Sequence, residues 1–113
     1  MNIIADLAFA RKGSYELDKK VFSVIATPEM ETHAHIFGIP HLTRNINVIR
    51  RYLTNLFPEA NFKIMTNNDV AEVTITQGDF EISSCVRAKY SNGLDLLTLA
   101  FCIILVKFHM GVK

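Results

Sequence analysis

The chain has 113 residues; half are hydrophobic, a fifth are charged, and 12 basic against 11 acidic residues leave a formal charge of +1. Such a chain has room for one domain, residues 1–113, and too much apolar surface to stay disordered or to serve as a linker or fibrous repeat. The near-neutral balance removes any global electrostatic pull toward nucleic acid or an anionic membrane.

In chain order, Ile3, Ile4, Leu7 and Ala8 make a short helical stripe that Gly13 ends, and Ser14 is placed to cap a second helix. Leu17, Val21, Val24 and Ile25 form its inner face, and Thr27-Pro28 stops it. Residues 28–42 are the least regular stretch and are read with a short strand over His35–Phe37. Thr43 is the expected cap of the next helix, in which Ile46, Ile49, Leu53 and Leu56 recur at helical spacing until Pro58.

The period then drops to two. Phe62 and Ile64, then Ala71, Val73 and Ile75, then Phe80, Ile82, Ser84 and Val86 alternate with mostly polar neighbours. Asn67-Asn68-Asp69 and Gln77-Gly78-Asp79 supply the turns. Three such strands predict an antiparallel meander with one apolar face. Asn92 caps a last helix, with Asp95 near its positive end. The expected fold is α+β, in the order α-α-(short β)-α-β-β-β-α. The helices at 43–57 and 93–109 cover the sheet as a helix–sheet–helix sandwich.

The last helix is apolar all round: twelve of the fifteen residues from Leu94 to Phe108 are apolar. Asp95, Thr98 and Lys107 interrupt the run, so it is read as a buried helix, not a membrane span. One sheet cannot cover every side of it. The expectation is a homodimer packed on Leu97, Phe101, Ile104 and Phe108, with the N-terminal helices folding over the same surface as the alternative. The start of the chain has no basic segment and meets Asp6 early, unlike a signal peptide. Cys85 and Cys102 lie within apolar runs and read as reduced packing thiols of a cytoplasmic protein.

Three constellations carry chemistry. His33 and His35 would share a face of a strand, and His41 or Glu31 could complete a metal site, which would suit a metal-dependent enzyme. Arg44, Arg50 and Arg51, with Lys63 nearby, could hold a phosphate or an acidic surface. The helix–strand–strand–strand–helix order matches a double-stranded-RNA-binding domain, but Asp95 stands where that fold needs cations, so no double-stranded RNA partner is expected. No catalytic motif is present, and no cofactor is expected.

Leu7-Ala8 with Ser14-Tyr15-Glu16-Leu17-Asp18, the run Pro40–Asn47, and Leu96–Cys102 together resemble the phage ABA sandwich domain family. Leu42 replaces that family's usual aromatic and Asn47 its usual Asp, and the chain has no Trp. The resemblance implies a phage or prophage context and a helix–sheet–helix sandwich; with the missing catalytic motifs and the compact single domain, the expectation is a non-enzymatic accessory protein that acts in the host cell by binding. It would inhibit a host defence system by occluding a protein or sequestering a nucleotide signal. A structural subunit of a phage assembly is a further expectation.

Overall fold

A computed structural model describes residues 2–89 and 91–111. The elements are α1 (Ile3–Ala8), α2 (Tyr15–Ile25), α3 (Pro28–Phe37), α4 (Ile46–Leu56), β1 (Asn61–Thr66), β2 (Val70–Gln77), β3 (Phe80–Arg87) and α5 (Gly93–Met110). The fold is α+β, and the three strands form one antiparallel sheet in the order β1-β2-β3.

Local chemistry explains most boundaries. Ser14 accepts a bond from the Leu17 amide and Asn92 from the Leu94 amide, as their positions predict. The Asn67 side chain accepts from the amides of Asp69 and Val70 and closes the first hairpin. Gly78, at φ 61°, turns the second.

Two local expectations are corrected. The short strand over His35–Phe37 is the end of α3, a ten-residue helix. Thr27-Pro28 ends α2 and also starts α3: Thr27 accepts from the Met30 amide, Pro28 takes the first turn and Gly38 follows at φ 90°. The same dipeptide is a stop and a start, and only the stop was legible. Thr43 is not a cap either. Asn45 caps α4, and Thr43 is buried.

Thr43 belongs to a clasp. Asp18, fully buried on α2, accepts from the Thr43 amide at 2.7 Å, from the Thr43 hydroxyl, and from Arg44 Nε at 2.7 Å. The Cys102 thiol donates to the Leu42 carbonyl at 3.0 Å. The loop before α4 is thereby tied to α2 and α5. Gly13 is required here, because a Cβ would stand 1.7 Å from the Thr43 carbonyl oxygen.

α5 is the central element. Ala71, Val73, Ile75, Ile82 and Val86 pack beneath it, and the Ser84 hydroxyl donates to its Ala100 carbonyl at 2.7 Å. α1, α2 and α4 lie against its other sides. The layers therefore run sheet, α5, outer helices. Residues 43–57 do not cover the sheet: the apolar stripe of α4, Ile49 and Leu53, is spent on α5. The second sheet face carries Glu72, Thr74, Glu81, Ser83 and Arg87, polar residues that gain nothing from cover.

This arrangement answers the apolar excess of the last helix within one chain. By length and composition α5 could cross a membrane, yet ten of its residues, including the run Thr98–Val106, are buried in the fold. Each buried Leu or Ile side chain contributes about 1.5–3 kcal/mol. Phe101 and Ile104, expected as dimer contacts, are core residues of the single chain. Leu97 is partly buried, and Phe108 packs edge-on against Phe57 at 5.0 Å.

Candidate functional site: a groove between α4 and β1

β1 overhangs α5. All six of its residues are exposed, because α5 centres on β2 and β3. α4 leans on the other flank of α5. Its positions Ile46, Arg50 and Thr54, one turn apart, look across at β1. Between them runs an open groove of about 360 Å³, with Leu97 and Phe101 as floor and Phe62 and Ile64 as the far wall. Phe62 stands edge-on to Phe101 at 6.3 Å.

Arg50 is the one charged residue lining this groove, and it makes no ion pair among the described residues. A guanidinium above an apolar floor presents a directional donor fork that a carboxylate can fill.

The four expected cations do not converge. Arg44 is held by Asp18 at 2.7 Å. Arg51 lies about 100° round the helix from Arg50 and faces solvent. Lys63 alternates with Phe62 and Ile64 and so points from the opposite sheet face. Only Arg50 reaches the groove.

The histidine cluster is also corrected. It rested on a strand, where residues two apart share a face. On helix α3, His33 and His35 are about 200° apart. His33 stacks on Phe37 at 4.6 Å, and His41 lies beyond Gly38 in the following loop. Among the described residues no three His, Cys, Asp or Glu side chains gather as a metal site would require.

The thiols differ sharply. Cys102 is buried, and burial, with the Asp18 charge adding to it, pushes its pKa well above the usual thiol value, so it stays protonated. Cys85 is exposed on the open sheet face, its sulfur 3.8 Å from Glu72 Oε1.

Sequence reasoning found Arg50 but missed the groove. Ile46, Phe62 and Ile64 read as core positions because their spacing is that of a buried face; nothing in a single strand's alternation reveals that its covering helix is centred over the other two strands. The chain matches no family model, no curated protein and no solved structure.

Proposed function

We propose that the protein acts by binding, not by chemistry, and that the α4–β1 groove receives an extended segment of a protein target bearing apolar side chains and a carboxylate. The observation that carries this reading is the unpaired Arg50 guanidinium over the Leu97 and Phe101 floor. An apolar trough with one oriented charge suits a peptide segment, because burial supplies affinity and the ion pair fixes register. A polyphosphate nucleotide needs several converging donors, and Arg44, Arg51 and Lys63 stand apart from Arg50. Occlusion of a protein is therefore favoured over sequestration of a nucleotide. The resemblance to phage ABA sandwich proteins makes a host defence component in the cytoplasm the proposed target.

The test is affinity capture from host cells followed by cross-linking mass spectrometry. One discrete protein is expected, cross-linked to residues of the groove, and lost with Arg50→Glu but retained with Arg51→Glu. Equal capture by wild type and Arg50→Glu removes the groove from the function.

A further inference from the structure

We propose that a second copy of this chain pairs along the free edge of β1, antiparallel and two-fold symmetric about Ile64, and extends the β1 wall of the α4–β1 groove into a shared wall. The shared groove rests on the reading of that groove as the binding site; the strand pairing does not.

The backbone specifies which groups are free. The Asn67 amide donates to the Val70 carbonyl at 2.9 Å, so residue 67 is hydrogen-bonded to 70. Alternation along the ladder then turns Asn61, Lys63 and Met65 toward β2 and leaves the amides and carbonyls of Phe62, Ile64 and Thr66 pointing outward. The edge has none of the usual protections: no proline, no bulge in its register with β2, and a single charge, Lys63. Phe62, Ile64 and Met65 are 37%, 46% and 50% exposed.

Charge selects the register. Matching outward groups and matching sheet faces leave registers centred on Lys63, Ile64 or Met65. The first sets two lysines directly opposite each other, which is unfavourable. The third shortens the overlap. The Ile64-centred register pairs Phe62–Thr66, five of the six β1 residues, and places Lys63 opposite Met65 of the second copy. Met65 is itself the ladder partner of Glu72. Two strand spacings, about 9.6 Å, then separate Lys63 from Glu72 of the second copy, within reach of their side chains. The symmetry makes two such pairs.

The result is a continuous six-stranded sheet in which the two grooves meet at the dyad. Phe62 and Ile64 of the second copy continue the wall that β1 begins, and the trough gains a second Arg50. A five-residue ladder with its margin falls short of the roughly 800 Å² per partner of a standard interface, so the dimer forms in a concentration-dependent way.

Sedimentation velocity over a concentration series tests this. Wild-type mass should double toward high concentration, while Ile64→Lys, which sets two lysines opposite each other, should stay monomeric with an unchanged circular dichroism spectrum. On a Cys85→Ser background, Ile64→Cys should oxidise to a covalent dimer, because a hydrogen-bonded pair places the two Cα atoms roughly 5.5 Å apart, as a disulfide needs. Lys63→Cys should not. A wild type monomeric throughout, dimerisation of Ile64→Lys, or preferential cross-linking of Lys63→Cys overturns the pairing. A monomeric Ile64→Lys that captures the target as wild type does overturns the shared wall. Undiminished capture by Arg50→Glu with dimerisation intact sinks the groove reading and leaves the strand pairing standing.

Discussion

The two edges of the sheet are treated differently. β3 carries Glu81, Ser83, Cys85 and Arg87 on its open face, α1 packs beside it, and Lys107 reaches from α5 to donate to the Ser83 carbonyl at 2.8 Å. Ladder alternation turns that carbonyl outward, so Lys107 occupies an acceptor that an incoming strand would need. Among the described residues β1 has no comparable guard. One sheet thus has a closed edge and an open one, which confines strand addition to the side beside the groove.

The largest expected effect tests whether α5 favours one edge. Ile82 is buried beneath α5 on β3, and Ile82→Ala should cost about 2–5 kcal/mol in denaturant unfolding. Ile64→Ala on β1 removes a half-exposed side chain and should cost about 1 kcal/mol or less at concentrations where the chain is monomeric. Equal costs would mean that β1 is as well covered as β3 and would end the comparison.

Next is a proline pair. Lys63→Pro deletes an amide that faces β2, and Ile64→Pro deletes one that faces outward. The former should destabilise the fold by about 1–3 kcal/mol more, the cost of orphaning a ladder acceptor. The latter should leave β2 and β3 intact and abolish self-association. Reversed outcomes would show that the outward groups are misassigned.

Smaller still is Lys107→Ala. Its stability cost should be about 1 kcal/mol or less, since the bond is exposed. Its sharper readout is association: with the Ser83 carbonyl released, the variant should self-associate through β3 even on an Ile64→Lys background. A strictly monomeric double variant would show that Lys107 is no guard.

These contrasts bear on what the sequence disclosed. The meander, its turns, Ser14 and Asn92 were legible because each depends on neighbours within a few residues. The clasp was not. Asp18 meets Thr43 across 25 residues, and both read as ordinary helix-start polar residues until the fold buries them together. The apolar excess of α5 was legible as a need for cover, and the N-terminal helices, which do pack on it, were one of the two covers the sequence allowed; the choice between them was not legible, because a hydrophobic stripe says how much it buries and not against what. The groove was invisible for a related reason: it exists because α5 lies off-centre on the sheet, a property of packing angles that no strand or helix encodes alone.

The smallest expected effect is the most discriminating. Arg87 lies 3.7 Å from Glu72 on the open face, and both side chains are largely solvated. A pair of that kind contributes about half a kcal/mol at most, less as salt rises. Arg87→Ala should therefore leave monomer stability almost unchanged. In the Ile64-centred dimer, however, Glu72 is also the carboxylate within reach of Lys63 of the second copy. Arg87 competes for it, so its removal should tighten dimerisation, by about twofold for roughly a quarter of a kcal/mol released at each of two symmetric, partly screened sites. One substitution then leaves the monomer almost unchanged and tightens the dimer. A general loss of surface charge would shift neither selectively, and added salt should erase the gain. Lys63→Glu should weaken the dimer by a similar factor, and Lys63→Glu combined with Glu72→Lys should restore it, because the exchange returns unlike charges to the same two positions.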